Sequence, residues 1–235
     1  MRKAFAWKRP HHQVIGSILA GMDAEFLLDA HCYFGGGTQI ALALNEFRES
    51  RDIDFLCSNR EGFRKVRETV TQSSLGKILD RPLTLAREVR ADRDGVRTFL
   101  SVGDTRIKFE IILEARIDLR GAMDAKFKVP VLDLDCMVAE KFLANADRGI
   151  DESTQSRDMI DLAFLAMHYP PSKLLGGLQL AESAYGSAIR RNVSLVLDKF
   201  KANRNYASTC AKALSIQDLL TLRKGLQKLR AITAD

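Results

Sequence analysis

Two acidic residues and a run of glycines form the most informative pattern in this sequence of 235 residues. Asp52 and Asp54 alternate with the apolar residues Ile53 and Phe55, which is the period of a β-strand, so both carboxylates point to one face. Two neighbouring carboxylates hold hard cations such as Mg²⁺ through oxygen. The pattern predicts a metal site of the kind that lies between a protein and triphosphate oxygens.

The glycine run stands before this acidic strand. Gly36-Gly37-Thr38 ends fourteen residues before Asp52 and leads into an apolar helical pattern, for which Thr38 is the expected N-cap. Glycines let backbone N–H groups approach phosphate, and a helix N-terminus attracts the same anion. Each motif alone also fits an ordinary turn or a solvated edge strand, whereas together they predict a phosphate site beside a metal site.

The remaining pattern supplies the elements that position these residues. Acidic Glu110 lies on a further predicted strand and is expected to face the same site, although it also fits a surface acid paired with Lys108 or Arg106. The expected elements of the first half are a helix over 12–30, strands over 32–34, 52–57 and 105–113, a helix over 61–79, and β runs within 83–117 with a hairpin at Asp94-Gly95.

Beyond Pro130 the strand pattern gives way to helical periods. Helices are predicted over 134–146, 156–168, 173–191, 193–201 and 216–232. The fold class is therefore α/β (α+β): a mixed β-sheet core flanked by helices over 1–130, followed by a helical C-terminal domain over 131–235, which is expected to close over the predicted triphosphate site.

Composition excludes several other classes. The chain is 46% hydrophobic and 28% charged, and it contains no apolar run long enough for a bilayer span. Four widely spaced cysteines indicate reduced core residues in the cytoplasm, not a zinc site or a disulfide scaffold. His11 and His12 are expected at the surface.

The net charge is +6, which favours a polyanionic partner. Basic residues of the last helices are suited to an RNA backbone. Phe200 and Tyr206 are the few aromatic residues among them, so base stacking on single strands is not indicated.

The ordered motifs resemble the nucleotidyltransferase superfamily with the DNA polymerase β type of core and, more narrowly, the AbiEii/AbiGii toxin family. Similarity to that family rests on four segments: Gly-Gly-Thr at 36–38, Arg-Glu-Ser-Arg-Asp-Ile-Asp-Phe at 48–55, Ala-Glu-Lys-Phe at 139–142 and Arg-Asp-Met-Ile-Asp-Leu at 157–162.

The resemblance implies a role for each motif residue. Asp52 and Asp54 hold Mg²⁺, or alternatively Mn²⁺, and Glu110 is the candidate third carboxylate of the metal site. The implied catalytic residues are Asp52, Asp54, Glu110, Lys141 and Asp158, and the implied nucleotide-binding residues are Gly36, Gly37, Thr38, Arg48, Ser50 and Lys141. Asp161, one helical turn after Asp158, is either an active-site residue or a structural one that bonds the helix or Arg157.

The resemblance also implies an activity. It is the transfer of a nucleoside monophosphate from an NTP to an acceptor, with RNA and in particular the 3′ end of tRNA as the expected acceptor. The biological role would be that of a growth-inhibiting toxin of a type IV toxin–antitoxin pair, with a cognate antitoxin as partner and no membrane. Nucleotidylation of a protein or small molecule, and a noncatalytic nucleotide-binding regulatory module, remain alternatives.

Overall fold

The computed structural model describes residues 7–203 and 205–234, which divide into two compact units. The sheet unit comprises the described residues within Met1–Leu42 and Ser50–Asp133, and the helical unit comprises those within Ala43–Glu49 and Leu134–Asp235. The short segment Ala43–Glu49 therefore belongs with the C-terminal helices, although the residues before and after it belong to the sheet unit. A mixed sheet with helices confirms the predicted fold class.

The sheet unit contains seven strands and four α-helices among the described residues. In chain order these are α1 (Pro10–Leu19), α2 (Ala24–Asp29), β1 (Cys32–Gly35), α3 (Gly36–Ala43), β2 (Asp52–Cys57), α4 (Arg60–Thr69), β3 (Thr84–Ala91), β4 (Gly95–Val102), β5 (Thr105–Leu113), β6 (Gly121–Met123) and β7 (Pro130–Leu132), with a 3₁₀ turn at Gly76–Ile78.

The sheet has the strand order β3-β4-β5-β2-β1-β7-β6. Strand β2 lies near its centre, antiparallel to β1 and parallel to β5. The alternation of β2 buries Ile53, Phe55 and Cys57 on one face and leaves the acids on the other. The predicted hairpin at Asp94-Gly95 is confirmed, since the Asp92 carboxylate accepts the N–H groups of both residues and closes the turn between β3 and β4.

The predicted helix over 12–30 is wrong, because two helices stand there. Met22 forms a β-bridge with Leu79, and the Asp23 carboxylate accepts the Phe26 N–H at 2.8 Å, so a new helix begins after Asp23. The predicted helix over 61–79 is also too long. Helix α4 stops at Thr69, where the β-branched run Thr69-Val70-Thr71 disfavours helix.

The helical unit contains six α-helices within the described residues: α5 (Leu134–Arg148), α6 (Arg157–His168), α7 (Pro171–Tyr185), α8 (Ala188–Ala202), α9 (Tyr206–Ala213) and α10 (Leu219–Ile232). A 3₁₀ turn lies at Glu152–Thr154. The expected boundary between 191 and 193 is wrong. Gly186, with φ of +58°, ends α7 earlier. Helix α9 was not predicted from the sequence.

All four cysteines are buried and free, in line with their interpretation as reduced core residues. Within residues 7–203 and 205–234, no helix combines the length and the apolar character that crossing a bilayer requires.

Candidate active site

Asp52 and Asp54 lie on the same face of β2, both half-buried, as their spacing predicts. The residue paired with Asp54 on β1 is Gly35, and the residue paired with it on β5 is Glu110. Asp52 is paired with Lys108 on the same neighbouring strand. The sheet therefore brings the three predicted carboxylates to neighbouring positions on one face.

The glycine turn lies directly against the Asp54 carboxylate. Gly36 has φ of +68°, a conformation that side chains disfavour, and a Cβ built on it would stand 2.6 Å from Asp54 Oδ2. Both the backbone conformation and the space thus favour glycine at this position. Helix α3 begins at Gly36, so the N–H groups of its first turn, including that of Gly37, lie beside the acidic strand.

Thr38 does not cap α3, contrary to the sequence-based expectation, because the helix begins two residues earlier. Its side chain is buried, and the Thr38 and Ser50 hydroxyl oxygens share a hydrogen bond of 2.8 Å. This bond joins the glycine turn to the residues that enter β2.

His12 is a component of this network that the sequence did not reveal. It is fully buried, not exposed as expected, and its Nε2 accepts the Ser50 N–H at 3.2 Å. Its neighbour His11 lies 3.3 Å, through Nε2, from the carbonyl oxygen of Arg51. The start of α1 thereby holds the chain immediately before the acidic strand. No sequence motif marks His12, since only the fold brings residues 12 and 50 together.

Glu110 is occupied by ion pairs. Its carboxylate binds Lys108 on the same strand, and Arg97 Nε of β4 lies 3.3 Å from Oε1. Pairing with Lys108 agrees with the alternative that the sequence left open, whereas Arg97 takes the place expected of Arg106.

The other predicted site residues form a buried charged cluster in the helical unit. Lys141 of α5 donates to Asp158 at 2.9 Å and lies 2.8 Å from Asp161, both on α6. Arg148 Nε donates to Asp158 at 2.7 Å. Arg48, on the segment Ala43–Glu49, binds Asp161 with two hydrogen bonds of 2.6 and 2.9 Å. Asp161 is thus bonded to Arg48 and Lys141, not to Arg157.

These contacts fix the charges of the cluster. Burial works against the charged form of Lys141, but Asp158 and Asp161 outweigh it and raise the pKa of the ammonium. Burial likewise works against ionisation of Asp158, yet Lys141 and Arg148 lower the pKa of this carboxyl well below its usual range. Lys141 and Asp158 are therefore both charged at neutral pH.

The donor set on β2 fits a hard cation of the Mg²⁺ type. Asp52 and Asp54 offer two carboxylates on one face, and Mg²⁺ bound through one or two carboxylates takes its other oxygens from water and phosphate. The described part of the chain contains no cluster of three or more His, Cys, Asp or Glu side chains that could hold a metal ion. This agrees with the ion pairs that already occupy the Glu110 carboxylate.

The predicted site residues fall into two groups. The sheet unit contains Asp52, Asp54, Glu110, Gly36, Gly37, Thr38 and Ser50, and the helical unit contains Arg48, Lys141 and Asp158. Within each group the members lie close together, and their assignment to catalysis and nucleotide binding stays a prediction.

Two solved structures share the fold of this chain. A proposed nucleotidyltransferase from H. pylori matches it with a TM-score of 0.54 and 18% sequence identity, over 100% of this chain and 96% of the other. JHP933 from Helicobacter pylori matches with a TM-score of 0.51 and 18% identity, over 95% and 90% of the two chains. At this level of identity the two likenesses show the fold of the chain.

The family of the chain is shown by a match of its sequence to a family model. A family model described as nucleotidyl transferase AbiEii toxin, type IV TA system, matches residues 17–226. The chain belongs to the AbiEii family of nucleotidyltransferase toxins of type IV toxin–antitoxin systems, which confirms the resemblance carried by the motifs. The match extends far beyond residue 162, where the motifs end, and begins after His12. None of the curated proteins matches the sequence.

Proposed function

We propose that the protein transfers a nucleoside monophosphate from an NTP to RNA, with the 3′ end of tRNA as acceptor, and that this modification arrests growth. The observation that carries the proposal is the contact between Gly36 and Asp54, which places a turn suited to phosphate directly against a carboxylate suited to a metal. Binding of one triphosphate would use both features at once.

In the reaction, the acceptor hydroxyl loses its proton to solvent, its oxygen forms a bond to the α-phosphorus, and the bond from that phosphorus to the bridging oxygen breaks to release pyrophosphate. Asp52 and Asp54 would hold Mg²⁺ or Mn²⁺, which supplies charge neutralisation to the triphosphate and activates the attacking hydroxyl. Backbone N–H groups at Gly36 and Gly37 bind phosphate oxygens. Ser50, held by Thr38 and His12, keeps the start of β2 in place.

The remaining acid of the sheet unit has a lesser role in this proposal. Glu110 is already neutralised by Lys108 and Arg97. We therefore assign the metal to the two aspartates of β2 and keep Glu110 as the candidate third carboxylate, beside them in the sheet.

In the helical unit, Lys141 is the proposed cation for the triphosphate, and Asp158 keeps it charged and oriented. Arg48 donates to Asp161 and to the carbonyl of Glu49, which holds the segment Ala43–Glu49 in the helical unit, and its contact with phosphate stays a prediction from the motif.

Family membership points to a partner as well as a substrate. Because the family belongs to type IV toxin–antitoxin systems, we propose a cognate antitoxin as partner. The buried, free cysteines suit a reducing compartment, and we propose the cytoplasm as the location.

The test incubates the full chain with Mg²⁺, one α-³²P-labelled NTP at a time and total tRNA, followed by a denaturing gel. We expect label on RNA with the wild-type protein and none with Asp54→Ala. Asp104→Ala is the matched control, because Asp104 is an exposed acid in the turn between β4 and β5. Circular dichroism establishes that both variants are folded.

The other outcomes separate the alternatives. Label on a protein or a small molecule instead of RNA would keep the reaction and change the acceptor. NTP binding without release of pyrophosphate would indicate a noncatalytic regulatory module. Full transfer by Asp54→Ala would contradict the proposed site.

A further inference from the structure

The positive charge of this chain is concentrated in its last 48 residues. Residues 188–235 contain ten Lys and Arg against three Asp and Glu, a net charge of +7, whereas residues 1–187 contain 26 against 27, a net charge of −1. The whole excess that attracts a polyanion therefore belongs to the end of the helical unit, which includes helices α8, α9 and α10.

A groove of about 640 Å³ lies among these three helices and entirely within the helical unit. Apolar side chains of Leu197, Phe200 and Leu226 line it. The leucines are buried, while Phe200 is half-buried. The groove thus offers an apolar surface with a partly accessible aromatic residue.

Three cationic residues also line the groove: Lys201, Arg223 and Arg230. Arg230 Nη2 donates to Asp198 at 2.9 Å, which offsets its charge. Lys201 and Arg223 are exposed and make no ion pair with any described residue. Two uncompensated cations beside an apolar surface suit a ligand that combines phosphate with a flat, weakly polar ring.

The aromatic residues of this region meet at one place. Phe200 and Tyr206 have ring centroids 4.9 Å apart, and Lys199 Nζ lies 4.5 Å from the centroid of the Tyr206 ring. The small number of aromatic residues argues against base stacking only if they are scattered. Here the packing holds Phe200 beside the cations, so stacking of a base becomes feasible.

We propose that this groove binds a single-stranded segment of the acceptor RNA, with a base against Phe200 and backbone phosphates at Lys201 and Arg223. That this RNA is the acceptor of the reaction rests on the proposed function, whereas binding of RNA to the groove needs neither NTP nor metal. An acidic protein partner suits the cations but leaves the half-buried Phe200 ring without a specific role, so RNA is the better match.

The experiment measures binding of a fluorescent, unstructured RNA oligonucleotide to the full chain by anisotropy, without NTP, over a series of salt concentrations. The double variant Lys201→Gln/Arg223→Gln should bind about tenfold more weakly, and the slope of log K against log salt should become shallower by about 1.4, since each phosphate contact on a single strand contributes about 0.7. Phe200→Leu should lose about tenfold in affinity with the slope unchanged, within the range for one stacked base.

The matched control is Arg67→Gln/Lys77→Gln, which removes the same charge from exposed positions of the sheet unit. It should bind RNA as the wild type does. Equal loss of affinity in the control and the groove variant would overturn the proposal, because binding would then follow net charge alone. Wild-type binding of polyglutamate but not of RNA would also overturn it and assign the groove to an acidic protein.

The labelled-NTP assay distinguishes this proposal from the proposed function. Groove variants that bind RNA like the wild type, together with wild-type transfer to RNA, would overturn the groove alone. Weaker RNA binding by the groove variants, without transfer to any RNA by the wild type, would support the groove and contradict the proposed acceptor.

Discussion

The two aspartate pairs of this protein, one in each unit, have different surroundings. Asp52 and Asp54 on β2 are half-buried, and Gly36, which has a positive φ, lies against Asp54. The side chains of Asp158 and Asp161 on α6 are 3% and 0% exposed, and three basic residues of the same unit bind them: Lys141, Arg48 and Arg148.

These surroundings indicate that the α6 pair has a structural role and that the β2 pair is available to a ligand. The α6 carboxylates are neutralised by the chain itself, so removal of either one leaves the buried Lys141 with half of its counter-charge in a region of low dielectric. Asp52 makes no ion pair with a described residue, and it lies where an outside cation can reach it. Substitution on α6 should therefore act first on stability, and substitution at the glycine turn first on transfer.

The largest effect on stability is expected for Asp158→Asn. Buried Lys141 would keep only Asp161 as its partner, and Arg148, whose side chain is 41% exposed, would lose its own, so we expect a loss of about 3 kcal/mol, the lower end for a broken buried pair. Urea unfolding at pH 7, followed by far-UV circular dichroism, measures this change. Asp104→Asn, at an exposed acid, should leave the midpoint unchanged. A loss below about 1 kcal/mol for Asp158→Asn would break the distinction between the two pairs.

The same cluster predicts an acid dependence. Because the pKa of Asp158 is lowered on folding, its contribution to stability is complete above the unfolded pKa of about 3.9 and is lost as the pH falls below it. The wild type should lose stability between about pH 4 and pH 2 more steeply than Asp158→Asn does. Parallel curves for the two proteins would contradict this origin of the acid sensitivity.

A sharper comparison at the glycine turn uses two alanine variants. Gly36 and Gly103 have φ of +68° and +57°, so alanine brings a similar strain of about 1 to 2 kcal/mol at either position. A Cβ at Gly103 meets nothing within 4 Å, whereas at Gly36 it displaces the Asp54 carboxylate. We expect similar unfolding midpoints, with transfer reduced about a hundredfold only in Gly36→Ala, as for a displacement of about 1 Å at a reacting group. Equal activities would contradict a site at this turn.

The smallest effect is expected for Glu110→Gln. Its carboxylate is held by Lys108 and Arg97, so we expect about a tenfold loss of kcat, or about 1.4 kcal/mol, and no change in the Mg²⁺ concentration needed for half-maximal rate. A loss as large as that of Asp54→Ala, together with a higher Mg²⁺ concentration needed for half-maximal rate, would identify Glu110 as the third metal ligand.

The sequence predicts those parts of the fold that depend on local patterns. The alternation of acids and apolar residues over Asp52–Cys57 predicts both the strand and its acidic face, and Asp94-Gly95 predicts the hairpin. Tertiary pairing is what the sequence does not predict. The bridge of Met22 to Leu79 divides the first helix, and an acceptor for the Ser50 N–H comes from His12, 38 residues earlier.

The candidate site shows the same limit. The residue types of the motifs indicate metal and phosphate chemistry, but they do not show which charges the chain neutralises itself. The ion pairs of Glu110 with Arg97 and of Arg48 with Asp161 join residues from different elements, and only the fold identifies them.

The bond between Arg48 and Asp161 has a consequence for synthesis of the chain. It joins residues 113 positions apart, and at about 5 to 20 residues per second a ribosome needs roughly 6 to 23 s to add the second after the first. The segment Ala43–Glu49 is made early, within the sheet unit's stretch of sequence, yet its partners in the helical unit are made late. A nascent chain that ends at residue 133 thus has the acidic strand and the glycine turn but not the carboxylates that anchor the segment between them.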